Sequence, residues 1–167
     1  FQGMEKEYQL YLAAPPSCDS YLLRSAARKR YLLPLSESLH PLGNWRIVCS
    51  LAQFIREKKI DLVHTHGVRA GIVGQAAALI AGCGKVVATM HNMINYGMMP
   101  FSMAFQSMHR ILMRRTVRRL ITVSEVIKKD IMKYRLFPPE MVTVIYNGVD
   151  VALFSKNSCS DRKISFN

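Results

Sequence analysis

Short apolar runs alternate along the chain with longer stretches whose apolar positions recur every three or four residues. Tyr8–Ala14 is aromatic and aliphatic, ends at Pro15-Pro16 and predicts a strand. Asp19–Arg30 has helical spacing, and Tyr31–Leu35 predicts a short strand. From Trp45 to Glu57, Ile47, Val48, Leu51, Ala52, Phe54 and Ile55 fall on one face of an amphipathic helix. Ile60–His66 is a compact apolar strand ending in polar residues, and Gly67–Ala81 follows as a helix with Gly71, Gly74, Ala78 and Ala81 along one side. Gly82-Cys83-Gly84 stops that helix, and Val86–Met90 predicts the next strand. Phe101–Arg119 reads as one long basic helix and Leu120–Val123 as a strand, with Ser124 capping a helix that runs to Tyr134. Pro138-Pro139 breaks the chain, Val142–Tyr146 predicts a last strand and Asn147-Gly148 a turn. Strands apolar throughout, each followed by a helix, imply an α/β fold: a Rossmann-like parallel sheet with helices on both faces.

Composition narrows the picture modestly. With 167 residues, 50% hydrophobic and 20% charged, the chain has material for one core and a short tail. No apolar run approaches the roughly 20 residues of a membrane span. Phe1-Gln2-Gly3 reads as the scar of a removed tag, no charged-then-apolar leader is seen, and the domain is expected over 4–154 with 155–167 as a tail. Cys18, Cys49, Cys83 and Cys159 lie far apart with no C-x-x-C pair, as reduced thiols of a cytoplasmic protein would. The excess of 23 Lys and Arg over 11 Asp and Glu, a net charge of +12, attracts polyanions without choosing among them.

Ligands of open parallel sheets bind beyond the carboxyl ends of the strands. His64 and His66 stand two apart at one such end, facing the same side about 7 Å apart, and His91 ends the next strand. Imidazoles there can hydrogen-bond a sugar hydroxyl or support developing charge near neutral pH. His64 reads first as a packed histidine bonded to backbone, and His66 and His91 as the functional groups. A zinc site from the three lacks a carboxylate or cysteine at ligand spacing, so no metal is expected. Gly67 and Arg69 open a helix whose positive end suits an anion. Gly67, Gly71 and Gly74 do not make a dinucleotide fingerprint, and Gly71 and Gly74 read as close packing. On a continuous helix Arg110, Arg114 and Arg118 would line one edge with Arg115 and Arg119 beside them. That edge is either a solvated face or a patch for anionic lipid headgroups. Nucleic acid ranks third, because aromatic stacking platforms are absent from it. Met93, Met98, Met99, Met103, Met108 and Met113 could line an adaptable groove or fill gaps in the core.

Five segments in order then resemble one family. Asp61-Leu62-Val63-His64-Thr65-His66, Arg69-Ala70-Gly71, Thr89-Met90-His91-Asn92, Thr122-Val123-Ser124-Glu125 and Ile145-Tyr146-Asn147-Gly148-Val149-Asp150 resemble the N-terminal half of GT-B glycosyltransferases of family 4. The resemblance runs from about Leu10 to Phe154. It implies two Rossmann-like domains facing across a cleft, the N-terminal one holding the acceptor and the C-terminal one the nucleotide sugar. Transfer would be retaining and free of an essential metal or other cofactor. His91 would be the catalytic-site histidine that hydrogen-bonds the transferred sugar. His66, Gly67, Arg69, Asn92 and Ser124 would edge the cleft, and Asn147-Gly148 would lead toward the second domain.

The family opens with a strand and a glycine-rich loop ahead of the Tyr8–Ala14 equivalent, so the sheet is expected to lack a central strand here. The donor domain is likewise expected as a missing partner, and the chain alone is expected to be inactive. The tail, or a second copy in a homodimer, is a candidate filler of the strand position. An acceptor glycan or lipid-linked sugar is the expected small partner, with polysaccharide biosynthesis on the cytoplasmic membrane face as the setting. The competing reading is a flavodoxin-like binding module docked on anionic membrane or nucleic acid through the arginines.

Overall fold

The computed structural model describes residues 7–15, 29–32, 41–94 and 102–148. In chain order these form β1 (Tyr11–Ala14), β2 (Lys29–Leu32), α1 (Pro41–Glu57), β3 (Val63–His66), α2 (Val68–Ala81), β4 (Val86–Met90), α3 (Ser102–Thr116), β5 (Val117–Thr122), α4 (Glu125–Lys133), a short 3-10 turn (Pro139–Met141) and β6 (Val142–Val144). The helix expected over 19–30 falls largely outside the described residues, although Lys29 and Arg30 belong to β2. The tail over 155–167, Met98 and Met99 also lie outside them.

All strand pairs are parallel, as the apolar runs imply. The strands form two sheets, β1-β2 and β3-β4-β5-β6. Among the described residues nothing pairs with the outer side of β3. Val63 N donates to Lys85 O and Gly67 N to Thr89 O. The intervening polar groups of His64 and His66 therefore point to the open side.

Register assigns the faces. Thr65 aligns with Ala88, Leu120 and Val142, whereas His66 aligns with Thr89, Ile121 and Thr143. The first face is the core: Val86, Ala88, Met90 and Leu120 are buried with Ala78 of α2, Met113 of α3, and Ile127 and Ile131 of α4. Each fully buried Val, Leu, Ile or Met side chain among them contributes about 1.5–3 kcal/mol. Right-handed crossovers between successive neighbouring strands place α2, α3 and α4 on this same side. A second cluster joins α1 to α2 through Ile47, Val48, Leu51, Ala52, Ile55, Val73 and Ala77. Phe54 of α1 stacks on Tyr31 of β2 and meets Tyr11 of β1 edge-on. Gly74 gives the close approach read from the sequence, its α-carbon facing Thr65.

The basic helix needs correction. α3 ends at Thr116 and the next residue starts β5, so Arg118 and Arg119 lie on a strand, not on a helix face with Arg110, Arg114 and Arg115. Val117 pairs with Val86, and its β-branched side chain is better accommodated by a ladder than by a further helical turn. A shift in register between Val86 and Val87 absorbs the entry into the strand. Cys49 is exposed, although it sits within the apolar pattern of α1.

Candidate functional site

Because β3 to β6 are parallel, the residues after His66, Met90, Thr122 and Val144 all emerge at one rim of the sheet. Three backbone bonds hold this rim together: Gly67 N to Thr89 O at 2.8 Å, Val123 N to Met90 O at 3.3 Å, and Ile145 N to Thr122 O at 2.9 Å. His66, Gly67, His91 and Ser124 stand at or just beyond these strand ends, and Arg69, Asn92, Asn147 and Gly148 follow them within a few residues.

The three histidines touch more closely than the sequence indicated. The rings of His64 and His66 lie 4.3 Å apart, and those of His66 and His91 are 5.3 Å apart and nearly parallel. His66 Nδ1 and His91 Nε2 are 3.0 Å apart. One nitrogen donates and the other accepts, so the tautomers of the two rings are locked together. His64 is bonded to a side chain, not to backbone: its Nε2 meets Thr89 Oγ1 at 2.8 Å. Its neighbours bury His66 in part, and that burial, reinforced by the His64 and His91 rings, pushes its pKa down to about 4. His64 is lowered by burial first and by His91 second. At neutral pH His66 is therefore an uncharged group able to orient His91.

Two supporting residues escaped sequence reasoning. Thr89 holds His64 from the neighbouring strand. Asp130, buried in α4, accepts from Ile94 N at 3.0 Å and anchors the segment that leaves His91. Neither carries a sequence signal, because each contact joins residues at least 25 positions apart.

Ser124 caps α4, its Oγ accepting from Ile127 N at 3.2 Å. Gly67 precedes α2 at φ 78° and ψ 172°, a conformation that favours glycine. Arg69, Asn92, Asn147 and Gly148 are exposed at the rim. The arginines are distributed otherwise. Arg114 and Arg118 line a groove of about 630 Å³ with Arg135, Val117, Phe137 and Pro138. It lies where β5 begins, at the rim opposite the histidines. Arg114 donates to Arg135 O, and Arg118 Nε donates to Gly84 O at 3.0 Å. Arg115 and Arg119 are exposed and Arg110 is half-buried. Among the described residues no group of three or more His, Cys, Asp or Glu is placed to hold a metal, and no helix is long and apolar enough to cross a membrane.

Known proteins share this fold. An Escherichia coli protein named UDP-Gal:alpha-D-GlcNAc-diphosphoundecaprenol alpha-1,3-galactosyltransferase is 28% identical over 144 residues, spanning 80% of this chain and 35% of that protein. Anabaena HepE in complex with UDP-glucose superposes with a TM-score of 0.61 at 23% identity, covering 80% of this chain and 34% of its own. Acinetobacter baumannii MurG superposes at 0.60 with 16% identity, covering 89% and 39%. The chain therefore spans little more than a third of these proteins. The family Glycosyltransferase Family 4 matches residues 2–153, nearly the whole sequence, and the chain belongs to that family.

Proposed function

We propose that this chain is the N-terminal, acceptor-side part of a retaining glycosyltransferase that uses a nucleotide sugar. The observation that carries the reading is the His66–His91 pair at the carboxyl rim of a parallel sheet, within a chain of this family. His91 is the group assigned to the transferred sugar, and His66 sets its tautomer. Gly67, Arg69, Asn92 and Ser124 edge the acceptor side, while Asn147-Gly148 leads toward a donor domain.

A lipid-linked acceptor is the favoured class. The E. coli relative's name specifies a GlcNAc-diphosphoundecaprenol substrate. The +12 net charge suits a diphosphate acceptor at an anionic membrane surface and supports a peripheral position on its cytoplasmic side.

Transfer requires donor and acceptor in line, with the leaving diphosphate stabilised. The test is transfer of radiolabelled sugar from UDP- or GDP-sugars to a GlcNAc-diphospholipid. The chain alone is expected to give no product, and the chain fused to a family donor domain to give product that His91→Ala reduces on the order of 100-fold or more. Full turnover by the His91→Ala fusion would overturn the reading.

A further inference from the structure

We propose that the outward face of α3 docks the protein on an anionic lipid bilayer, with the helix lying in the plane of the headgroups. This deepens the acceptor reading and rests on it for the lipid setting. The helix buries one side and leaves the other bare. His109, Met113 and Thr116 turn into the protein, whereas Met103, Met108 and Ile111 are 81%, 47% and 54% exposed. Met103, Ser107, Ile111 and Arg114 follow one another at the three- and four-residue spacings of one helix face, and Ala104, Met108 and Arg115 stand beside them. Apolar and cationic side chains thus share a single stripe. Arg118 and Arg119 have no part in it, because β5 takes them off the helix.

Two features select a bilayer. The first is charge. α3 holds Arg110, Arg114 and Arg115 and no Asp or Glu. Neighbouring helices on the same side of the sheet add to that field: α2 carries Arg69 and no carboxylate, and α4 carries Lys128, Lys129 and Lys133 against Glu125 and the buried Asp130. An anionic bilayer meets cations wherever on the face they stand, so no matched carboxylates are needed. The second is the mixture itself. Exposed Met and Ile side chains between arginines can enter the boundary of headgroups and acyl chains while the guanidinium heads stay among the phosphates.

α3 runs from the end of β4 back to the start of β5, so its Met103 end lies toward the histidine rim and its Arg115 end toward the opposite one. A diphospholipid leaving the bilayer would reach His66 and His91 past the first turn of α3. Docking is read on vesicles that hold no acceptor, so it can fail while the transferase reading stands, and the reverse.

The test is co-sedimentation of the intact chain with such vesicles. Binding is expected to phosphatidylglycerol mixed with phosphatidylcholine, weakening as salt rises, and not to phosphatidylcholine alone. Ile111→Glu should weaken it on the order of tenfold or more, and Arg115→Gln about fivefold. Arg119 alternates with the core residue Leu120 along β5 and so faces the other side of the sheet. Arg119→Gln removes the same charge from there and should weaken binding about twofold or less. As a check that needs no variant, a spin-labelled lipid in phosphatidylglycerol bicelles should broaden the methyl signals of Met103, Met108 and Ile111 before those of Leu62, which is 51% exposed ahead of β3. No binding to anionic vesicles would leave the face to a protein partner and overturn the proposal. Equal binding to neutral vesicles, unchanged binding by Ile111→Glu, equal losses in Arg115→Gln and Arg119→Gln, or broadening that spares α3 would overturn it as well.

Discussion

Gly74 of α2 lies so close to Thr65 of β3 that a methyl group in place of its hydrogen would come within 2.6 Å of Thr65 Cγ2. Thr65 is the inward residue between His64 and His66, so this contact seats the strand that presents both histidines outward.

Gly74→Ala should therefore lower stability by about 1–3 kcal/mol, because strand and helix must separate to admit the methyl. Gly67→Ala should cost a similar ~1–3 kcal/mol for the opposite reason. Space around it is open, but its φ of 78° with ψ 172° strains any side chain. Gly84→Ala, with open space and no positive φ, serves as the neutral control. Urea denaturation of the three variants distinguishes crowding, strain and neither.

His109 is fully buried in α3, and burial pushes its imidazole down to about 4 from 6.5. The folded state thus binds this proton less readily than the unfolded chain. Its contribution to stability is full above pH 6.5 and is lost as pH falls from there toward 4. The loss should be on the order of 2–3 kcal/mol. His109→Gln should flatten this part of the stability–pH curve, as chemical denaturation at pH 7.5, 5.5 and 4.5 would show.

Asp130 satisfies the buried amide of Ile94, three residues beyond His91. Asp130→Ala should cost roughly 1–3 kcal/mol by stranding that N–H. Hydrogen exchange should then quicken over residues 91–94 while β4 stays protected. Equal protection of 91–94 in variant and parent would count against Asp130 as the anchor.

Gln75 is fully buried in α2, and among the described residues neither its amide nitrogen nor its oxygen has a partner. An apolar residue of similar shape removes that desolvation penalty. Gln75→Met should raise stability by about 1–2 kcal/mol in thermal or urea unfolding.

Much of this architecture was legible in the sequence for identifiable reasons. Runs such as Val86–Met90 are apolar at every position but Thr89, a pattern that suits a strand buried among helices, and β4 appears with the bounds expected. The Ser124 cap was legible from cap chemistry. The α3–β5 junction was not, because arginines four apart satisfy a helical period while the following residues also suit a strand. What decides there is pairing with β4, a contact 31 residues away in the alignment of Val86 with Val117. The rim shared by His66 and His91 followed from parallel strands. Their direct contact did not, since it depends on the register that sets His66 beside Thr89.

The central claim is that His66 and His91 form the acceptor side of a glycosyl-transfer site. It is tested most directly by titrating the isotopically labelled chain with a short-chain GlcNAc-diphospholipid and following the imidazole resonances by NMR. Saturable shifts of His66 and His91 are expected, with His109 unmoved. Shifts confined to the groove of Arg114, Arg118 and Arg135 on the opposite rim, with both histidines unaffected, would contradict it.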